Sequence, residues 1–126
     1  MARVLIIDDD PTVRSLVGGI VEAMGHSIVE ARDGRAGVAT FSRGDIDLVV
    51  TDIVMPEQEG IETIGAIRRL NRAVPILAIS GSATVGGAGD YLRAAAALGA
   101  SATLQKPFRP EHFSDAIARL LANVPT

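Results

Sequence analysis

Cysteine and tryptophan are absent from this chain of 126 residues, and its aromatic content is three Phe and one Tyr. Without cysteine there is no disulfide framework and no thiolate metal site, as suits a reducing compartment. With so few rings the core must be built from Val, Ile, Leu and Ala, which supply most of a hydrophobic fraction of 48%. No apolar run reaches the ~18 residues of a membrane span, and Met1-Ala2-Arg3 leads straight into an apolar segment with no signal-peptide pattern. Excess positive charge is missing too: the net charge is −3, which argues against the broad basic footprint of a nucleic-acid binder. Together these predict a soluble, cytoplasmic protein with no membrane insertion and no direct contact to nucleic acid. The length suits a single domain able to bury a core of its own.

What the chain does have is alternation. Arg3-Val4-Leu5-Ile6-Ile7 is a continuous apolar run, as expected of a central strand covered on both faces. It ends in Asp8-Asp9-Asp10-Pro11, where Asp10 can cap a helix that carries Pro11 at its first position. Val13, Leu16, Val17, Ile20, Val21 and Met24 recur at helical spacing up to Gly25. A second strand is predicted from His26 to Ala31, then a turn at Asp33-Gly34 and a helix through Val38 and Phe41, closed by Gly44 and Asp45. The third strand runs from Asp47 to Asp52. Ile61, Ile64, Ile67 and Leu70 mark a third helix, and Val74 to Ile79 a fourth strand ending at Ser80-Gly81. Gly86, Gly87 and Gly89 give Ser82 to Gly89 much backbone freedom. An Ala-rich helix from Asp90 to Leu98, a strand from Ser101 to Gln105 and a last helix through Phe113, Ile117, Leu120 and Leu121 complete the chain. Strands alternating with helices in this way predict right-handed βαβ units, hence an α/β fold with one parallel sheet.

The polar residues gather where that sheet would end. Asp8, Asp9, Asp52, Ser80 and Lys106 each fall at the carboxyl end of a predicted strand, the edge at which open α/β sheets place their ligands. An acid closing a buried strand, as Asp52 does, is poorly explained by packing. Two unit charges ~5 Å apart repel by roughly 3 kcal/mol at an effective dielectric near 20. Three converging carboxylates therefore need a cation, and Lys106 supplies one charge. A hard divalent ion would supply more; oxygen ligands of this kind suit Mg²⁺.

Asp8-Asp9 after the first strand, Asp52 followed by Met55-Pro56 and Gly60, Ser80-Gly81, and Lys106-Pro107-Phe108 occur in order along essentially the whole chain. This constellation resembles the receiver domain of two-component response regulators. The resemblance implies a doubly wound, flavodoxin-like sheet of order 2-1-3-4-5 with helices on both faces. It implies Asp52 as the acceptor of phosphate from a histidine kinase's phosphohistidine, and Mg²⁺ held by Asp8, Asp9, Asp52 and the Val54 carbonyl. Lys106 would neutralise charge on the phosphoryl oxygens and Ser80 would hydrogen-bond one of them. The expected partners are a sensor histidine kinase or histidine phosphotransfer protein and a downstream target. Such a domain would catalyse only its own phosphorylation and dephosphorylation. The surface of the Asp90 to Leu98 helix, the last strand and the last helix would report the change, with self-association open to it. Residues 1–126 are expected to form one receiver domain without an output domain. The resemblance also suggests a cis bond before Pro107.

Two features depart from the pattern. Thr103 stands three places before the lysine, where many receivers carry an aromatic switch residue, and Ser82 to Gly89 lengthens the segment after Ser80. The Gly-rich loop is the expected carrier of the switch instead. Asp8-Asp9-Asp10-Pro11-Thr12 also spells D-x-D-x-T, the first motif of haloacid-dehalogenase-like phosphatases, with Asp8 as nucleophile and Asp10 as acid/base. No acidic pair follows Lys106 in a suitable position, and that reading leaves Asp52 unexplained. A receiver-like binding module without phosphorylation is a third alternative. Elsewhere the bland readings prevail. Asp45 and Asp47 are turn residues; His26, and His112 early in the last helix, are surface or packing residues. Arg68, Arg69 and Arg72 form a solvated helix face. Gly81 to Gly89 lacks the Lys-Ser/Thr of a P-loop.

Overall fold

A computed structural model describes residues 1–53, 59–80 and 95–122, with the backbone alone at 59 and 60. The elements follow in the order β1 (Arg3–Ile7), α1 (Pro11–Ala23), β2 (Ser27–Ala31), α2 (Gly34–Ser42), β3 (Leu48–Asp52), α3 (Glu59–Leu70), β4 (Ile76–Ser80), β5 (Ala102–Gln105) and α4 (Pro110–Ala122). Residues 95–98 are helical as well. The strands form one sheet in the order β2-β1-β3-β4-β5, and every neighbouring pair is parallel. The expected α/β class and 2-1-3-4-5 order are therefore both present.

The sheet divides the core by strict alternation, the period of two that a pleated strand imposes. Leu5, Ile7, Val49, Ile76 and Ala78 face one side, where they pack with Phe41, Ile64, Ile67 and Ala95 from the helices. Val4, Ile6, Leu48, Val50, Leu77 and Ile79 face the other, against Val17 and Val21 of α1 and Phe113 and Ile117 of α4. All five residues of β3 and of β4 are buried, as strands covered on both faces must be. Phe108 stacks on Phe113 with ring centroids 5.7 Å apart, tying the chain after β5 to α4.

Local chemistry sets the boundaries. Asp10 caps α1 by accepting from the Thr12 N–H, and Pro11 occupies the first turn. The Asp33 carboxylate caps α2 through the Ala36 N–H, which makes the expected turn a helix start. Gly25 follows α1 at φ 94°, a conformation that favours glycine. β4 begins at Ile76 rather than at Val74, because Pro75 has no N–H to give a neighbouring strand. The Lys106–Pro107 bond is cis, as the resemblance suggested.

Some sequence readings need correction. Leu16 and Leu70, counted into apolar stripes, are 58% and 55% exposed: each lies just off the buried face of its helix. Arg68 is no solvated residue. Its Nε donates to the Gly99 carbonyl at 2.8 Å, Nη1 to the Val74 and Asn71 carbonyls at 2.6 and 3.2 Å, and Nη2 to Ser101 Oγ at 3.2 Å. It thus clamps the end of α3 to the starts of β4 and β5, and burial pulls its guanidinium below the usual arginine range. His26 contributes more than packing, since its Nδ1 accepts from the Ala2 N–H at 3.0 Å and pins the start of the chain. Ser82 to Gly89, Tyr91 and most of the Asp90 to Leu98 helix lie outside the described residues.

Three substitutions probe this packing by urea unfolding followed by circular dichroism. In Gly37→Ala the new Cβ meets Ile7 Cγ1 at 2.7 Å, an overpacking expected to cost about 1–3 kcal/mol. In Gly19→Ala, where nothing lies within 4 Å of the new methyl, helix propensity alone acts and stability rises by about 0.5–1 kcal/mol. Arg68→Met removes the clamp and is expected to cost about 2–3 kcal/mol; a loss below about 0.5 kcal/mol would return Arg68 to the solvated class.

Candidate functional site

Backbone hydrogen bonds carry the ladders past the strand ends, from β1 to β2 and across β3, β4 and β5, while Ile7 pairs in register with Thr51 to set β1 beside β3. Ile53 N–H donates to the Ile79 carbonyl at 2.9 Å, Lys106 N–H to the Ser80 carbonyl at 2.7 Å, and Asp8 N–H to the Ala31 carbonyl at 3.1 Å. Asp52 pairs in register with Ile79, and Ser80 with Gln105. Residues dozens of positions apart are therefore held one strand spacing from each other.

Asp8, Asp9 and Asp52 each present one carboxylate oxygen, and these oxygens lie within 4.8 Å of one another. Asp8 and Asp52 are only 3% and 6% exposed, while Asp9 is exposed. Lys106 extends its ammonium between the two buried acids, with Nζ 3.7 Å from Asp8 Oδ2 and 3.5 Å from Asp52 Oδ2. It is the only lysine in the sequence. Its compact charge on a flexible stem suits a point contact between two carboxylates better than a planar guanidinium would. Ser80 is fully buried at the end of the adjacent strand.

One ammonium does not balance three carboxylates. Burial pushes the Asp8 carboxyl up from 3.8 to about 6, and the charges of Asp52 and Asp9 push the same way; the Asp10 N–H and the Lys106 ammonium oppose them. Converging oxygens, a surplus of negative charge and one partly protonated acid form a donor set that fits a hard divalent cation. Asp8, Asp9 and Asp52 are the residues that could hold it. The Val54 carbonyl, the remaining ligand implied by the resemblance, lies outside the described residues, as do Met55-Pro56 and Gly81.

Asp10 keeps to its capping role: its Oδ1 accepts from the Thr12 N–H at 2.9 Å. Its own N–H donates to Asp8 Oδ1 at 2.9 Å. This pair gives no support to Asp10 as the acid/base of a phosphatase. Thr103 is exposed on β5. One residue of the site went unread in the sequence. Arg14 of α1 turns back so that its Nη1 donates to the Asp8 carbonyl at 2.6 Å, while its Nε lies 3.5 Å from Glu30 Oε1 on β2. A cation in the first turns of a helix runs against the helix dipole, and that was the available signal.

A family model described as response regulator receiver domain matches residues 4–118. The chain is 33% identical over 98 residues to the transcriptional regulatory protein TcrA of Mycobacterium tuberculosis, covering 71% of this chain and 39% of that protein. It is 31% identical over 127 residues to the sensor histidine kinase AruS of Pseudomonas aeruginosa, covering 98% of this chain and 12% of that protein. The chain therefore spans well under half the length of either relative. Among solved structures, the chemotaxis protein CheY4 of Vibrio cholerae superposes with a TM-score of 0.84 at 30% identity, covering 96% of this chain and 99% of that one.

The charge surplus predicts a pH signature. Asp8 holds its proton more tightly in the fold, at about 6, than at its unperturbed 3.8. The folded state then binds more protons between those values, so this contribution to stability falls as pH rises through the window and is fully lost above it. A shift of this size corresponds to about 3 kcal/mol. Without divalent cation, Asp8→Asn is expected to match the wild type near pH 4 and to exceed it by up to about 3 kcal/mol at pH 7 in urea unfolding. Mg²⁺ should narrow the gap at pH 7 by stabilising the wild type. A difference that does not vary with pH would contradict the assignment.

Proposed function

The chain belongs to the response regulator receiver domain family, and on that premise we propose that Asp52 accepts a phosphoryl group from the phosphohistidine of a histidine kinase or histidine phosphotransfer protein. The observation that carries this reading is the setting of Asp52: a nearly buried carboxylate at the end of a central strand, with an ammonium at 3.5 Å and two further acids converging on it.

In the proposed step an Asp52 carboxylate oxygen attacks phosphorus in line. The phosphorus–nitrogen bond breaks, and the imidazole nitrogen leaves with the electron pair and takes a proton. Lys106 neutralises charge on the phosphoryl oxygens, so catalysis is mainly positioning and electrostatics. Asp8, Asp9 and Asp52, with the Val54 carbonyl, would hold Mg²⁺, which when bound supplies the further positive charge that the transferring group needs. The Ser80 hydroxyl would donate to a phosphoryl oxygen. The acyl phosphate carries about −1.5 to −2 charges in place of one. A packing that answers that charge better gains population, and we place the response on the surface of residues 95–98, β5 and α4, where a downstream target or a second copy could dock. Residues 1–126 are taken as one receiver unit. No described helix is long and apolar enough to cross a membrane, and we place the unit in the cytoplasm.

The test is incubation with acetyl phosphate and Mg²⁺, with the adduct located by peptide mass spectrometry. Phosphate is expected on Asp52, absent in Asp52→Ala and after chelation of the metal. Lys106→Met is expected to slow phosphorylation about 100-fold. A label that survives Asp52→Ala would overturn the reading, and label on Asp8 would favour the phosphatase alternative.

A further inference from the structure

The acidic loop between β1 and α1 has to hold two carboxylates at a fixed spacing, and the structure shows what grips it. Asp8 is fastened at four points. Its N–H donates to the Ala31 carbonyl, its carbonyl accepts from Arg14 Nη1, its Oδ1 accepts from the Asp10 N–H and its Oδ2 faces Lys106. Asp9 is different. It is exposed, and among the described residues no side-chain donor meets its carboxylate. Where that carboxylate stands is decided by the backbone on either side of it.

Arg14 holds the backbone on both sides. Its side chain donates to the Asp8 carbonyl at 2.6 Å, and its own N–H donates to the Asp10 carbonyl at 3.0 Å. The two peptide groups that bracket Asp9 and Asp10 thus hang from a single residue. Glu30 aims the guanidinium: its Oε1 lies 3.5 Å from Arg14 Nε, and it sits on β2 in register with Ile6, two residues before Asp8. The fork of an arginine can meet a carboxylate and a carbonyl in fixed directions at once, which a lysine cannot. The placement of a cation so near the helix start, against the dipole, is accounted for by these two acceptors.

We propose that Arg14, oriented by Glu30, is a positioning residue that sets the geometry of the Asp8–Asp9 pair and thereby its affinity for a divalent cation. The proposal rests on the reading of this site as a cation-assisted phosphoacceptor. Ligand carboxylates depend on the groups that orient them, and removing such a partner commonly costs 10- to 100-fold in metal affinity.

Two measurements on the intact chain test it. By titration calorimetry with Mg²⁺ alone, Arg14→Gln is expected to raise the Kd about 10-fold, and Glu30→Gln to raise it by a smaller factor. Arg14→Lys keeps the charge without the fork and is expected to stay nearer to Arg14→Gln than to the wild type. In the metal-free protein, exchange of the Asp10 amide, followed by NMR, is expected to quicken in Arg14→Gln, because the loop that supports its bond to Asp8 Oδ1 has lost its hold. A merely structural arginine would lower the melting temperature with and without Mg²⁺ alike and leave both readouts unmoved; that result overturns the proposal. So does a wild-type Kd in Arg14→Lys, which would assign the effect to charge alone. If Arg14→Gln does not fold, Glu30→Gln carries the test by the same two readouts. A wild type that binds no Mg²⁺ overturns the site reading and with it the affinity claim, while the exchange measurement still decides whether Arg14 orders the loop.

Discussion

Three carboxylates drawn together at the end of a sheet, with one ammonium among them, is the constraint on which the rest of this structure depends. Packing gains nothing from it: two of the acids are nearly buried, and the burial of Asp8 raises its proton affinity well above that of a free aspartate. The arrangement survives because the surrounding fold overdetermines it. β1 and β3 are covered on both faces, and the backbone ladders continue past the strand ends to Ile53, Lys106 and Asp8. Strain of this kind, held in place by a stiff scaffold, is a common mark of functional sites. The deficit of two charges left by Lys106 is the amount a divalent cation closes.

The parts of this picture legible in the sequence are those with a short-range signature. An apolar run ending in an acid says both strand and strand end, which is why Asp8 and Asp52 can be placed on one edge from the sequence alone. Asp10 and Pro11 announce the start of α1 in the same local way. The less legible parts belong to residues whose role depends on the partner they meet. Arg68 and Arg72 look alike in the sequence, yet Arg68 donates to three carbonyls and a hydroxyl in the connections around the end of its helix. Arg14 and His26 escape a sequence reading for that reason as well, since their acceptor and donor lie on a preceding loop and at the chain start. Leu16 and Leu70 fail in the opposite direction: a periodic apolar position predicts a face, and the edge of that face is set only when the neighbouring helices arrive.

The two faces of the sheet give the rim a double footing. Asp8 continues β1, which sends Ile7 into the layer of α2 and α3 and Ile6 into the layer of α1 and α4. Asp52 continues β3 in the same manner, with Val49 on one side and Val50 on the other. A displacement at the rim is therefore felt by both helical layers. Thr103 stands exposed on β5, and it has no ring to serve as an intermediary between rim and surface.

Gly37 illustrates how far the tolerances of such a rim extend. It has no side chain because α2 sits on Ile7 too closely to admit one, and Ile7 is the residue immediately before Asp8. A methyl group at this place meets Ile7 and not the acids of the rim, yet it would lean on the strand that aims the first of them. A group added at this glycine therefore presses on the one residue that stands between α2 and the first acid of the site. The pedigree of the chemistry is written partly in a helix that takes no part in it.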